Sequence, residues 1–118
     1  MEMREFTWEP GSYVTSHTHP AAFIICVEVG AVGFSIQSGA ATVTRGGTAD
    51  SAAEAEPMAV GDEVVLEPRD CVAVDEEPST IHTVWNAGDE TAVTIETYLF
   101  ARDQPGRTFV NAEGTPIP

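Results

Sequence analysis

The chain contains three histidines, His17, His19 and His82, and no others. One residue separates His17 from His19, and on an extended strand, where side chains alternate between faces, residues two apart project the same way. Two imidazoles on one face can grip a single ion. His82 lies far downstream and can join them only if the sheet curls round to bring distant strands together, as a closed barrel does. Neutral imidazole suits zinc, iron, copper or nickel, and three such ligands leave positions open for water or substrate. An isolated His-x-His on a strand is more often a surface or packing feature, so the pair by itself does not define a site.

The elements that would position these histidines are short and β-rich. Candidate strands run over residues 5–8, 12–19, 22–29, 32–37, 41–44, 58–59, 63–67, 71–74, 80–85 and 92–100, with turn signals between them such as Pro10-Gly11, Ser38-Gly39, Gly61-Asp62 and Gly88-Asp89. No long stretch shows a helical apolar period. At 118 residues the chain is read as one domain, long enough to bury a core without staples. Many short strands in one such domain predict an all-β sandwich or barrel. Residues 46–57, GGTADSAAEAEP, lack a large apolar anchor and are expected to form a mobile surface loop, with at most one weak helical turn over 53–56. The segment 101–118 holds three prolines and two glycines and is expected to be irregular, either fraying or packing across a partner subunit.

The spacing of the histidines within their glycine frame resembles that of the cupin superfamily. From Gly11, five residues lead to His17, one more separates it from His19, three more reach Phe23 and six more reach Gly30, the last part reading HTHPAAFIICVEVG. Downstream, His82 is followed after three residues by Asn86, similar to the end of the second cupin motif, within the sequence IHTVWNAGDETAV. The resemblance covers roughly residues 6–100. It implies an antiparallel, jelly-roll-like β-barrel with His17, His19 and His82 as ligands of one divalent transition metal: iron, zinc, manganese or nickel. It departs from the superfamily at two places. Phe23 stands where cupins commonly carry a glutamate ligand, and Arg69-Asp70 stands where a typical member has Gly-Asp, with no Pro-x-Gly before His82.

Without that carboxylate, a divalent ion on three neutral imidazoles keeps its full charge and attracts an anion, either hydroxide from its own water or an enolate, carboxylate or thiolate of a substrate. Iron would then support dioxygenase-like chemistry, which the resemblance favours slightly; zinc, manganese or nickel would act as a Lewis acid in an isomerase, lyase or hydrolase. Two other readings stay open: a non-catalytic small-molecule binding or sensor barrel, and a metal-free structural dimer. Strand parity places Tyr13 and Thr15 on the face of His17, and Val84 and Asn86 on that of His82. If Phe23 points inward, so do Ile25 and Val27, while Cys26 and Glu28 point out. The expected pocket is therefore lined by Tyr13, Thr15, Phe23, Ile25, Val27 and Val84, with Tyr13 the candidate acid or base. Trp85 alternates away from His82, toward a possible subunit interface, and Glu96, in TIETYLF, is expected to be exposed.

Charge narrows the partners. Nineteen acidic residues face five arginines and no lysine, for a net charge of −14, which repels phosphate backbones and anionic membranes and so excludes nucleic acid and membrane partners. Either adaptation to high salt or a lysine-poor codon usage would produce that balance. No apolar run approaches the 18 or so residues needed to cross a bilayer. The start MEMREFTWEP lacks the pattern of a secretory signal, so a cytoplasmic location is expected. Cys26 and Cys71 lie in apolar strand-like stretches and are read as buried free thiols, with a disulfide or a catalytic thiol as alternatives. A small-molecule ligand and a homodimer paired through edge strands complete the expectation.

Overall fold

The computed structural model describes residues 2–18, 21–46, 54–74, 80–100 and 108–109. Among the described residues eleven strands follow one another: β1 (Glu2–Trp8), β2 (Tyr13–Thr18), β3 (Ala21–Val29), β4 (Val32–Ser38), β5 (Ala41–Arg45), β6 (Glu54–Met58), β7 (Glu63–Leu66), β8 (Cys71–Val74), β9 (Ile81–Asn86), β10 (Ala92–Phe100) and β11 (Thr108–Phe109). They form two antiparallel sheets, one of six strands in the order β1-β10-β3-β8-β5-β6 and one of five in the order β11-β2-β9-β4-β7. The all-β, jelly-roll-like expectation holds. The closed barrel does not: each sheet keeps its own edges among the described residues, and the two enclose the core between them.

Period-two alternation explains which side chains enter that core. On β3, Phe23, Ile25 and Val27 are buried while Ile24 and Glu28 are exposed. Their register partners on β10 and β8 are buried too: Tyr98, Glu96 and Thr94 on one side, Val74 and Val72 on the other. The facing sheet contributes Val32, Phe34, Ile36, Leu66 and Val84 to the same cluster. Gly30 shows why this frame needs a glycine: its φ is +81°, and a Cβ there would stand 2.9 Å from the backbone of Ala92, where β10 begins.

Three expectations are corrected. Residues 54–57, placed in a mobile loop, belong to β6, which pairs with β5 in the register Val43↔Glu56. Before Met58, which is buried in the core, the strand carries no large apolar group; it lies at the edge of the six-stranded sheet, where charges and a proline such as Pro57 are tolerated because one side makes no ladder. Of the 101–118 segment, Thr108 and Phe109 are ordered as β11 against Thr18 and His17; the rest of that segment lies outside the described residues. Cys26 and Cys71 are not free thiols. They face each other directly across β3 and β8 and form a disulfide, a pairing set by strand register and invisible in either apolar stretch alone.

Candidate functional site

His82 is fully buried on β9. Its imidazole lies between two phenyl rings, stacked on Phe34 at 5.2 Å and tilted against Phe23 at 5.1 Å, so one contact comes from each sheet. Nδ1 lies 3.3 Å from the carbonyl oxygen of Thr80. That carbonyl can only accept, which favours the tautomer with the proton on Nδ1 and the lone pair on Nε2. Thr80 is itself fixed: its hydroxyl donates to the Ala40 carbonyl at 2.9 Å and accepts from the Ala40 amide at 3.1 Å. The connection between β4 and β5 therefore sets where β9 starts and how the His82 ring is held.

β2 lies beside β9, with His17 directly opposite His82. The two histidines that are distant in sequence are thus adjacent in register. The side chain of His17, and all of His19, lie outside what the structure describes, so of the three expected ligands only the His82 side chain and the His17 backbone are placed. The register contains an irregularity that parity counting misses. Val14 pairs with Val84 and His17 with His82, so β2 advances three residues while β9 advances two. A bulge of this kind moves the residues before it to the opposite face.

The bulge overturns one expected site residue. Tyr13 pairs with Trp85, is 61% exposed, and stacks with the Trp85 ring at 6.3 Å on the outer face of the five-stranded sheet. It is not a pocket residue and not the acid or base of an interior site. The Thr15 side chain lies outside the described residues. Phe23, Ile25, Val27 and Val84 are buried on inner faces as expected. Trp85 faces away from His82 as expected, lying against Gly33 of β4. Asn86 shares the face of His82 but serves a turn: its amide donates to the Trp8 and Glu90 carbonyls at 2.8 and 2.9 Å, and its oxygen accepts from the Gly88 amide at 2.9 Å.

Glu96 is the second correction, buried at 4% exposure rather than solvent-facing. The hydroxyls of Tyr98 and Thr94 donate to its two carboxylate oxygens, the latter at 3.0 Å, and the Trp8 indole N–H donates to Thr94 at 3.0 Å. Tyr98 is buried as well, with its ring 5.5 Å from Phe23, and the guanidinium carbon of Arg4 lies 5.9 Å from its centroid. A connected path thus runs from His82 through Phe23 and Tyr98 to a buried carboxylate. Sequence reasoning missed Phe34, Thr80, Glu96 and Tyr98 as neighbours of the site. For β10 a signal existed, because Thr94, Glu96 and Tyr98 share one parity. It was obscured by the more apolar opposite parity, Val93 and Ile95, which faces the outside of the six-stranded sheet.

The other buried acid among the described residues, Asp70, is structural. It accepts from the amides of Glu67 and Gly46, both at 2.9 Å, and from the Arg45 guanidinium at 3.1 Å. Burial opposes its ionisation, but the Glu67 and Gly46 amides together with Arg45 outweigh that and hold the carboxyl below its ordinary range. Arg69, at the position where the resemblance expects glycine, has a φ of 77°, a region that L side chains seldom occupy.

No family model matches the chain, and no curated protein matches it. Solved structures do. The fold is similar to a cupin 2 domain-containing protein from Halorhodospira halophila, with 21% identity and a TM-score of 0.58 over 95% of this chain and 59% of that one. A dTDP sugar isomerase from Desulfovibrio desulfuricans G20 matches with 12% identity and a TM-score of 0.55, over 95% and 65%. A dTDP-4-dehydrorhamnose 3,5-epimerase from Elizabethkingia anophelis NUHP1 matches with 15% identity and a TM-score of 0.55, over 93% and 55%. The chain therefore has the cupin fold. It spans less than two thirds of the length of each of these three structures.

Proposed function

We propose that this protein is a metal-binding member of the cupin fold that acts on a small molecule, holding one divalent transition ion through His82, His17 and His19. The observation that carries this reading is the buried His82, its Nδ1 facing the Thr80 carbonyl and its backbone in register with His17. Carbonyl contacts of this kind orient metal-binding imidazoles and leave Nε2 as the donor. A divalent ion held there would supply Lewis-acid chemistry or, if iron, dioxygenase-like chemistry, the latter favoured slightly by the resemblance to superfamily members that use three histidines. The chain's own residues would exclude water, since Phe23, Ile25, Phe34 and Val84 make the surroundings of His82 apolar.

Metal content decides between this reading and a binding or structural fold. Protein purified without added metal or an affinity tag, analysed by plasma mass spectrometry, should contain close to one equivalent of iron, zinc, manganese or nickel. His82→Ala should lose it. No metal in either protein, and no uptake on titration, would remove the triad and leave a metal-free binding or structural fold.

A homodimer is part of the same proposal. The outer face of the six-stranded sheet exposes Met3 and Ile24, and the carboxylate-rich remainder of a chain with net charge −14 disfavours other self-contacts. Light scattering should report twice the 12.5 kDa chain mass, and a monomer would count against it. Among the described residues no helix is long and apolar enough to cross a membrane. The proposed cytoplasmic location has to accommodate the Cys26–Cys71 bond, because reducing compartments seldom sustain structural disulfides. Alkylation of thiols in intact cells before lysis tests it: a persistent disulfide indicates an oxidising compartment.

A further inference from the structure

We propose that Glu96 is the negative charge of the metal site, acting from β10 as an outer-sphere partner of the ion rather than as one of its ligands. The inference rests on the metal-binding reading above.

Charge balance is the starting point. Three neutral imidazoles leave a divalent ion uncompensated, and the interior around His82 is lined by Phe23, Phe34 and Val84, which offer no counter-charge. Two acidic side chains are buried among the described residues. Asp70 is committed to a turn and to Arg45. Glu96 lies on the inner face of the six-stranded sheet, one strand away from β3. Its position relative to Phe23 is fixed by register: Tyr98 pairs with Phe23 and Glu96 with Ile25, so Glu96 is the diagonal neighbour of the Phe23 position. Such neighbours are about 7–8 Å apart, within reach of long side chains.

The surroundings of Glu96 hold it as a pre-oriented carboxylate. Tyr98 and Thr94 both direct hydroxyl protons at its oxygens, and the Trp8 indole in turn fixes Thr94. Arg4 is its register partner on the edge strand β1 and is exposed, with its guanidinium carbon over the Tyr98 ring. A purely structural role, in which Arg4 alone balances Glu96, is the competing account. The two accounts differ in what metal binding should sense.

The test is titration of Co2+ into metal-stripped full-length protein, followed by calorimetry and by the visible absorption of the bound ion. Glu96→Gln keeps the shape and removes the charge, and should weaken Co2+ binding by about 10- to 100-fold, the usual range for outer-shell partners, with an unchanged far-ultraviolet circular dichroism spectrum. Placing a carboxylate beside His82 in the same background, Glu96→Gln with Phe23→Glu, should recover most of the loss. Co2+ affinity within about twofold of the parent in Glu96→Gln would overturn the inference, since the expected loss starts near tenfold. If Glu96→Gln does not fold, Tyr98→Phe replaces it. That variant keeps the charge but removes a hydroxyl that orients it, and an affinity equal to the parent's would likewise overturn the inference. A parent protein that binds no Co2+ would bring down the metal-binding reading itself, an outcome distinct from a parent that binds and a Glu96→Gln variant that binds equally well.

Discussion

Adding one methyl group at Gly33 should destabilise the protein only while Trp85 is present. A Cβ built at Gly33 would lie 2.0 Å from Cε2 of Trp85 and 2.4 Å from both Cζ2 and Nε1. Carbon atoms in contact sit about 3.5–4.0 Å apart, so the indole would have to rise by roughly 1.5 Å or more. That movement breaks its seat on β4 and disturbs the stack with Tyr13. Overpacking of this kind costs about 1–3 kcal/mol. Against it stands the conformational gain of alanine over glycine in a strand, about 0.5–1 kcal/mol. The steric term is larger, so Gly33→Ala should lose roughly 1–2 kcal/mol net. With Trp85→Ala the obstruction disappears and only the gain remains, so the same substitution should then stabilise by roughly 0.5 kcal/mol. The assay is urea unfolding of the four proteins of the cycle, followed by circular dichroism. A coupling energy of about 2 kcal/mol is expected. Equal effects of Gly33→Ala in both backgrounds would refute the packing argument.

The remaining predictions concern the frame around the site. Arg69→Gly should stabilise the fold by up to about 1 kcal/mol in thermal unfolding, because relief of the left-handed backbone at φ 77° outweighs the added freedom of the unfolded chain; a loss would show that the Arg69 side chain makes a compensating contact. Asp70→Asn should cost about 1–3 kcal/mol at neutral pH, since it weakens an acceptor serving two amides and Arg45. Because folding lowers the Asp70 pKa, its contribution is complete above the usual value of 3.8 and is lost as pH falls through the lower folded value. The stability difference between parent and Asp70→Asn should therefore shrink in strong acid, and a constant difference down to pH 2 or so would contradict the assignment. Replacing both cysteines by serine should lower stability by about 2–4 kcal/mol, as expected when a cross-link between residues 45 positions apart is removed; no loss under oxidising conditions would mean that the bond does not form in solution.

The sequence by itself determined what depends on local periodicity. The alternation in FIICVEV put Phe23, Ile25 and Val27 inside and Glu28 outside, and the turn signals located most of the strands. The spacing of His17, His19 and Phe23 between Gly11 and Gly30 was enough to point to the fold, because strand length and a positive-φ turn are written within a few residues. What the tertiary structure alone decided depends on contacts between segments distant in the chain. The bulge in β2 arises from pairing with β9, and it carries Tyr13 to the outer face although parity from His17 puts it inside. The disulfide follows from Cys26 and Cys71 meeting across β3 and β8, and neither local sequence carries that register. Glu96 reads as a surface residue because a lone acid in a strand ordinarily faces water. Its burial is decided by Tyr98 and Thr94 beside it and by Trp8, 86 residues from Thr94, which donates to the same chain of hydroxyls. A buried charge is tolerable only where partners converge, and convergence of that kind exists only once the sheets have formed.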